Sequence, residues 1–276
     1  MGIRDLKDRW VLVTGSAVGI GYETALAFAR QGANIVLSDI NEIALQRARR
    51  DVEQLGVRCL SFTVDVSSEA AVGDFAAKVQ AEVGAPDVLV NNAGIGYLGP
   101  FLHTPLSAWH QSLNVNVMGV VHCCHFFLPL MIAAGGARHL VNVASGAGIT
   151  PGPNLSAYSA SKHAVMGLSD ALSMELDSSG VGVTVVCPGI INTDIVRNLA
   201  NVSPAITQAQ IERLQAHYRT VGVHPSVVAS IVRGVQRGQD IVLVGPLARS
   251  MFHLKRFSRR LMRLATIWDS KKNGYL

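Results

Sequence analysis

Short, continuous apolar runs rich in valine, isoleucine and leucine alternate along this chain with longer stretches of helical periodicity. Continuous rather than alternating apolar runs are typical of parallel strands that helices cover on both faces of a sheet. The runs predict strands at residues 10–14, 34–38, 59–64, 87–90, 139–143, 183–187 and 241–244. The stretches between them predict helices at residues 20–31, 42–55, 69–82, 106–134 and 157–178.

Because no proline- or serine-rich linker interrupts this alternation, we predict a single α/β domain over residues 1–248. Its sheet should be doubly wound, with about seven mostly parallel strands and helices on both faces. A chain of 276 residues can bury a core without help from disulfides or a structural metal. The pattern weakens over residues 191–224, where we expect a substrate loop, and residues 249–276 should form a basic amphipathic helical tail.

The positive charge of the chain is confined to one segment. Eight of its 24 Lys and Arg residues lie within residues 249–272 beside a single acid, Asp269, whereas the remainder carries two more acidic than basic residues. Nucleic-acid binding normally requires a basic domain, so we expect no nucleic-acid partner. The four cysteines lie in apolar runs without the spacing of metal ligands, which predicts reduced, buried thiols and no metal site.

Two features bear on the membrane and the compartment. The first ten residues are charged and contain no apolar segment of the signal-peptide kind, which predicts a cytoplasmic protein. Residues 117–134 form an apolar run long enough to be considered as a membrane span. This run contains His122, His125 and Pro129, and polar groups are costly in lipid. We therefore predict a buried helix of a soluble protein, and the two histidines should pack or line a contact between subunits.

A glycine-rich turn connects the first predicted strand to the first predicted helix. Glycines let the backbone turn tightly and approach a pyrophosphate, which then lies at the positive end of the helix. Glycine-rich turns also occur as plain connections, but the strand before and the helix after this one favour a dinucleotide site. The residues predicted to hold the dinucleotide are Gly15, Ser16, Ala17, Gly19, Ile20 and Gly21.

Asp39 stands at the end of the second predicted strand, about 20 residues after the turn, where dinucleotide-binding folds present an acid. Its carboxylate can accept hydrogen bonds from the adenosine ribose and would repel a 2′-phosphate. Neither Val18 nor Ile40 supplies a cation for such a phosphate, so we predict NAD rather than NADP as cofactor. The alternative is a helix N-cap, which either Asp39 or Asn41 could provide.

Tyr158 and Lys162 lie one turn apart on one face of a predicted helix. An ammonium beside a phenol favours the phenolate, so we expect a lowered pKa for Tyr158 and a role as general acid and base. Ser145 follows a predicted strand at the carboxyl edge of the sheet, where its hydroxyl could bind a carbonyl or alkoxide oxygen. Taken singly, the three residues could be a surface aromatic, a solvated lysine and a turn serine.

These features resemble the short-chain dehydrogenase/reductase family from about residue 8 to about residue 245. The motifs that carry the resemblance are Thr14-Gly15-x-x-x-Gly19-x-Gly21, Asn91-Asn92-Ala93-Gly94, the set Ser145, Tyr158 and Lys162, and Pro188-Gly189. The resemblance implies a Rossmann-type fold, a nicotinamide cofactor, and a catalytic serine, tyrosine and lysine. It also implies that Tyr158 and Lys162 contact the cofactor. The lysine is expected to hold the nicotinamide ribose.

The resemblance assigns roles to further residues. It implies an asparagine that completes a proton relay through water, for which Asn116 fits best and Asn114 is the competing candidate. Other positions match those that contact the two ends of the cofactor in the family. These are Asp65 and Val66 at the adenine, Asn92 with Ala93 and Gly94 near the adenosine ribose, and Pro188, Gly189, Ile191 and Thr193 toward the nicotinamide.

The expected activity is hydride transfer between NAD(H) and a lipophilic secondary alcohol or ketone. The lipophilic substrate is inferred from apolar residues in the expected loop: Ile195, Val196, Leu199, Val202, Ile206, Ile211 and Leu214. The alternative is a catalytically weak NAD-binding regulatory or membrane-surface protein of the same fold. The resemblance further implies a homodimer or homotetramer, formed through helix 106–134 and the helix of Tyr158.

In the tail, several large apolar residues fall near one helical stripe among arginines. The stripe comprises Leu247, Met251, Leu254, Leu261, Leu264 and Trp268, with Phe257 beside it. A basic helix with an apolar face can lie on an anionic membrane. We nevertheless expect the tail to pack on the protein itself or on a sister subunit, and keep a membrane contact through residues 249–272 as the alternative.

Overall fold

A computed structural model describes residues 2–191, 201–221 and 228–274 of the chain. Seven strands form one sheet in the order β3-β2-β1-β4-β5-β6-β7, and every adjacent pair is parallel. The strands are β1 Trp10–Thr14, β2 Asn34–Asp39, β3 Cys59–Thr63, β4 Val88–Asn91, β5 Arg138–Val143, β6 Val181–Pro188 and β7 Ile241–Val244. The predicted doubly wound parallel sheet is therefore confirmed, with strand ends shifted by at most two residues.

The helices up to residue 237 connect consecutive strands and cover both faces of the sheet, and two more helices follow β7. They are α1 Gly19–Ala29, α2 Glu42–Glu53, α3 Glu69–Val83, α4 Leu106–Leu113, α5 Gly119–Ala134, α6 Gly146–Ile149, α7 Ser156–Glu175, α8 Gln208–Val221, α9 Ala229–Arg237, α10 Pro246–Phe257 and α11 Arg259–Lys272. All five predicted helices are present. In the expected substrate loop, residues 192–200 and 222–227 lie outside the described residues, and α8 occupies much of the remainder.

Two apolar cores separate the helices from the sheet. On one face, α1, α2 and α9 bury side chains such as Phe28, Leu45 and Ile231. On the other face, α3, α5 and α7 do the same, and the rings of Phe75 and Phe127 meet edge to face with centroids 5.5 Å apart. Because both faces are covered, the strands can carry continuous apolar runs, which is the pattern seen in the sequence.

The predicted helix over residues 106–134 consists of α4 and α5 joined by one wider π-helical turn, Asn114–Met118. By length and composition alone this stretch could cross a membrane. One side of it nevertheless packs against α3 and the sheet. On that side the Nδ1 atom of His122 lies 2.9 Å from the carbonyl oxygen of Val66, so His122 packs within the protein. His125 is exposed.

The C-terminal tail is two helices instead of one continuous stripe. Ser258 has an extended backbone that separates α10 from α11, and its Oγ caps α11 by accepting a hydrogen bond from the amide of Leu261 at 3.2 Å. Helix α10 packs on α6 and β7, and Lys255 Nζ donates to the carbonyl oxygen of Ile149. Helix α11 packs on α10 and buries Met262. The expectation of one helical stripe is therefore wrong, while α10 does pack on the body of the protein.

Candidate active site

The predicted site residues gather at the carboxyl edge of the sheet. The strand order reverses direction at β1, because the chain continues from β1 to β2 on one side and later returns to β4 on the other. In open α/β sheets, the crevice beyond the carboxyl ends of the strands at such a reversal is where ligands bind. The glycine turn follows β1, the Asn91–Gly94 segment begins at the last residue of β4, and Ser145 follows β5.

Glycine is required in the turn after β1 for two separate reasons. Gly15 and Gly19 have φ angles of +61° and +62°, a conformation that favours glycine. A Cβ atom at Gly21 would lie 2.1 Å from the carbonyl oxygen of Gly15, so only glycine permits the helix to approach the turn this closely. Helix α1 begins here without a side-chain cap, whereas Asn41 and Ser68 cap α2 and α3. The first amides of α1 are thus available to an anionic ligand.

Thr14 and Asn92 hold the turn against the end of β4. The Oγ1 atom of Thr14 accepts hydrogen bonds from the amides of Asn92 and Ala93, both at 3.1 Å. The Asn92 side-chain amide donates to the carbonyl oxygens of Thr14 and Gly15, both at 2.9 Å. Both Nδ2 protons of Asn92 are therefore used inside the protein, which limits its expected ribose contact to the Oδ1 atom. Thr14 opens the glycine motif but was not predicted as a site residue, and its hydroxyl fixes the turn to the end of β4.

Ser16 faces into the protein. Its Oγ atom donates to the carbonyl oxygen of Ser38 at 3.2 Å and accepts from the Ser38 amide at 2.9 Å, and the side chain is fully buried. The hydroxyl thus ties the turn to β2 and points away from the crevice. Ser16 was predicted as one of the residues that hold the cofactor, and its hydroxyl is engaged with Ser38 inside the protein.

The carboxylate of Asp39 is held at the end of β2 beside the glycine turn. One oxygen accepts from the amide of Ala17 at 3.0 Å, and the other accepts from the amide of Asn41 at 2.9 Å. The cap of α2 is Asn41, whose Oδ1 accepts from the amide of Ala44 at 3.1 Å. Asp39 is therefore not the helix cap, and it remains next to the turn that the cofactor would occupy.

Ser145, Tyr158 and Lys162 converge beyond the ends of β5 and β6. The Ser145 hydroxyl lies near enough to Tyr158 to lower the pKa of the tyrosine, and Ser145 Oγ accepts from the amide of Ala147 at 3.1 Å. The Lys162 ammonium lies 5.9 Å from the centroid of the Tyr158 ring and donates to the carbonyl oxygen of Val143 at 2.9 Å. Lys162 is only 4% exposed, so it is not a solvated surface lysine.

The direction of the pKa shift at Tyr158 differs from the expectation. Burial raises the pKa of the Tyr158 hydroxyl above its ordinary value, and the hydrogen bond with Ser145 offsets this only in part. Burial also lowers the pKa of Lys162 to about 8, with a smaller opposing effect from Cys187. The spacing of Tyr158 and Lys162 predicted their proximity, but it took no account of the loss of water around both groups.

The structure distinguishes the two candidate asparagines. Asn116 is fully buried, whereas Asn114 is exposed on the other side of the π-helical turn. Asn116 Oδ1 accepts from the amide of Ile95 at 2.8 Å, and its Nδ2 donates to the carbonyl oxygen of Ile95 and to Ser161 Oγ, both at 2.9 Å. Asn116 is therefore tied both to the loop after β4 and to the helix of Tyr158.

Gly94 lies between the side chains of Asn116 and Lys162. A Cβ atom at Gly94 would lie 3.1 Å from Asn116 Oδ1 and 3.3 Å from Lys162 Nζ. A larger residue would crowd both polar groups. The loop after β4, the π-helical turn and α7 therefore meet at one point. Ser161, which lies in the tyrosine–lysine motif and was not predicted as a site residue, completes the connection through Asn116.

The remaining predicted positions follow the carboxyl ends of β3 and β6, and the structure describes all of them except one. Asp65 Oδ1 accepts from the amide and hydroxyl of Ser67, at 2.9 and 2.7 Å. The neighbouring Val66 is buried against Gly119. Pro188 and Gly189 follow at the carboxyl end of β6, and Ile191 is buried. Thr193 lies outside the described residues.

A nicotinamide dinucleotide fits this crevice. The uncapped amides of α1 and the glycine cradle suit a pyrophosphate, and Asp39 offers a carboxylate to a ribose at one end. At the other end, Lys162 offers an ammonium beside Tyr158. Within residues 2–191, 201–221 and 228–274, no group of three or more His, Cys, Asp or Glu side chains is placed to bind a metal ion, and all four cysteines are buried and free.

The sequence and the fold both have known relatives. A profile of the family described as short chain dehydrogenase matches residues 9–203. The protein named "Probable oxidoreductase EphD" of Mycobacterium tuberculosis is 40% identical over 261 residues, which cover 93% of this chain and 44% of the relative. The chain thus spans less than half the length of these mycobacterial relatives.

Further relatives match along most of both lengths. Estradiol 17-beta-dehydrogenase 11 of Mus musculus is 36% identical over 205 residues, covering 73% of this chain and 68% of the mouse protein. The crystal structure of a short chain dehydrogenase/reductase from Burkholderia phymatum in complex with NAD superposes with a TM-score of 0.85. That alignment has 28% identity and covers 94% of this chain and 96% of the other.

Proposed function

This chain belongs to the short-chain dehydrogenase/reductase family of oxidoreductases, and we propose that it transfers a hydride between NAD(H) and a lipophilic secondary alcohol or ketone. The observation that carries this proposal is the convergence of Ser145, Tyr158 and Lys162 at the edge of the sheet that also presents the glycine turn. Such a reaction needs a general acid and base and a binding site for the dinucleotide, and both lie in the same crevice.

Each residue of the set has a distinct task in this proposal. Ser145 and Tyr158, which lie near each other, hold the substrate oxygen between their hydroxyls. In alcohol oxidation Tyr158 takes the hydroxyl proton, and in ketone reduction its hydroxyl donates a proton to the oxygen. Lys162 orients the nicotinamide ribose and Asn116 organises the proton path behind it. A bound nicotinamide supplies the acceptor or donor of the hydride.

The residues that would hold the cofactor follow the crevice from end to end. The backbone of Gly15, Ala17, Gly19, Ile20 and Gly21 would surround the pyrophosphate. Asp39 would bind the adenosine ribose, and Asp65 with Val66 would border the adenine. The segment Asn92–Gly94 and the pair Pro188–Gly189 would line the path toward the nicotinamide, with Ile191 and Thr193 beyond them.

The proposal of a lipophilic substrate takes support from apolar residues near the start of the helix that carries Tyr158. Leu98 forms backbone hydrogen bonds with both ends of residues 201–203, and Gly99 pairs with Leu155, three residues before Tyr158. Ile206, in the same segment, is buried. Estradiol, named in one relative, is a lipophilic secondary alcohol. These backbone contacts place the segment that contains Ile206 beside the loop after β4 and the start of the helix that carries Tyr158.

The function is tested by a substrate screen that monitors NADH absorbance, with NAD and NADP supplied in parallel to steroid, long-chain and terpenoid secondary alcohols and to short polar alcohols as controls. We expect turnover with at least one lipophilic secondary alcohol and much less with the polar ones. Saturable NAD binding without turnover of any alcohol or ketone across the pH range would instead favour an NAD-binding regulatory protein.

The Asp39→Ala variant is expected to narrow the preference for NAD over NADP. The carboxylate repels a 2′-phosphate, and its removal should raise kcat/KM with NADP relative to NAD by about tenfold, equivalent to about 1.4 kcal/mol. Initial rates with both cofactors measure this ratio. Asp65→Ala is a suitable control at the neighbouring strand end, and a wild-type protein that uses NADP as well as NAD would contradict the role given to Asp39.

We further propose a cytoplasmic homodimer or homotetramer that uses the outer face of the α4–α5 segment. Leu106, Leu113, Met118 and Ile132 are exposed there although they are large and apolar. Large apolar side chains that a helix exposes along its length are available to pack against a second chain, which would remove them from water. Analytical ultracentrifugation of the intact chain measures the number of subunits.

A further inference from the structure

Helix α11 has an apolar face that is turned toward solvent. Leu261, Leu264 and Trp268 follow the spacing of one helical face, and their side chains are 48%, 54% and 64% exposed. Met262 is buried where α11 packs on α10. Phe257, at the end of α10, is 83% exposed. Packing on the protein therefore uses one side of α11 and leaves a second, apolar side in water.

The same helix is strongly basic. Apart from Asp269, every charged residue of α11 is an arginine or a lysine. These cations are all exposed, and they are Arg259, Arg260, Arg263, Lys271 and Lys272. Among the residues that the structure describes, none of these cations forms an ion pair. Asp269 instead accepts a hydrogen bond from the side chain of Asn273 at 3.0 Å. Lys272 lies 4.9 Å from the centroid of the Trp268 ring, so charge directly borders the apolar side chains.

We infer that the outer face of α11 binds the surface of an anionic lipid bilayer. The acyl region would take up Leu261, Leu264 and Trp268, and the headgroup phosphates would meet the bordering Arg and Lys side chains. An anionic bilayer matches both the exposed apolar side chains and the positive charge of this face. A symmetric contact with a second copy would place the same cations opposite one another, which is repulsive.

This inference is independent of the proposed turnover, because it concerns α11 and not the crevice at the carboxyl edge of the sheet. Its consequence for the protein is a peripheral membrane position, with the domain held at the surface by a terminal helix. Lipophilic compounds concentrate in bilayers, so a domain at the surface would lie close to the compartment in which such substrates dissolve.

The test is co-sedimentation of the full chain with lipid vesicles. We expect binding to phosphatidylcholine vesicles containing about 30 mol% phosphatidylglycerol, and binding at least about tenfold weaker to pure phosphatidylcholine. Raising NaCl from about 0.05 M to about 0.5 M should release much of the bound protein, since the screening length shortens severalfold. If the intact chain does not sediment with the anionic vesicles, the inference is wrong.

Paired variants separate the apolar and the charged contributions. Leu264→Ser/Trp268→Ser should weaken binding by about tenfold or more, and Arg260→Gln/Arg263→Gln by about fivefold for each cation near the lipid. Ile43→Ser removes an equally exposed apolar side chain from α2 and should leave binding unchanged. Because all five side chains are exposed, melting temperatures should stay near that of the wild type, which verifies folding.

Two outcomes would overturn the assignment of this face to lipid. One is vesicle binding that the Leu264→Ser/Trp268→Ser variant retains in full. The other is a wild-type oligomer that this variant breaks into smaller species, together with absence of vesicle binding by the wild type. The second result would assign the face to a contact between copies of the chain.

Discussion

Replacing Tyr158 with phenylalanine is expected to lower kcat by a factor on the order of 10² or more, while the affinity for NAD stays nearly unchanged. The substitution removes the hydroxyl that would exchange a proton with the substrate and keeps the ring in place. Ser145 Oγ still accepts from the amide of Ala147, so Ser145 stays in place. Steady-state rates with the best alcohol from the screen, and NAD titration by protein fluorescence, measure the two quantities.

Tyr22→Phe is the matched control for this experiment. The Tyr22 hydroxyl donates to Asp51 Oδ2 at 2.9 Å, on the side of α1 that faces α2, away from Ser145 and Lys162. Its removal should cost some stability and leave kcat near the wild-type value. If Tyr158→Phe keeps most of its activity while Tyr22→Phe behaves as expected, Tyr158 is not the acid and base of the reaction.

Gly21→Ala is expected to disrupt the cofactor turn and to destabilise the fold by about 1–3 kcal/mol. The added Cβ atom would lie 2.1 Å from the carbonyl oxygen of Gly15 and 2.4 Å from Asn92 Nδ2. The first of these atoms belongs to the backbone, so the turn itself must shift. We expect the affinity for NAD to fall by about tenfold or more, as the loss of about 1.4 kcal/mol of binding energy implies.

Gly167→Ala provides the comparison, because among the described residues nothing beyond the neighbouring backbone of its own helix lies within 4 Å of the added methyl group. Alanine favours the helix, so this variant should be as stable as the wild type or slightly more stable. Thermal unfolding and NAD titration of both variants distinguish a local steric effect from a general intolerance of substitution. Equal NAD affinity for Gly21→Ala and the wild type would contradict the placement of the cofactor turn.

The parallel sheet could be predicted because its inner strands, such as β1, β4 and β6, are buried on both faces and so carry largely apolar runs. The position of the site followed from the same reasoning, since the carboxyl edge of such a sheet is shared by all its strands. What the sequence could not supply was the direction of individual side chains. Ser16 lies in the glycine motif as predicted, yet its hydroxyl turns inward to Ser38.

The sequence pattern also did not predict the effect of burial on the pKa of Tyr158 or the break between the two C-terminal helices. A spacing of four residues from Tyr158 to Lys162 implies proximity on a helix, but burial reverses the expected pKa shift of the tyrosine. In the tail, apolar residues recur at helical spacing on either side of Ser258, which concealed the break between α10 and α11. A serine followed by a helical stretch is a weak cap signal, and the stronger periodicity obscured it.

The order of strands in the sheet has a consequence for synthesis of the chain on the ribosome. After β3 has formed, each of the strands β4 to β7 joins the sheet beside its nearest predecessor on that side, so the sheet can grow at one edge as the chain emerges. The first residues are the exception. The amide of Ile3 donates to the carbonyl oxygen of Val235 at 3.1 Å, and Gly2 lies against Gln236. Gly2 and Ile3 therefore reach their native positions only after α9, which contains Val235 and Gln236, has been translated.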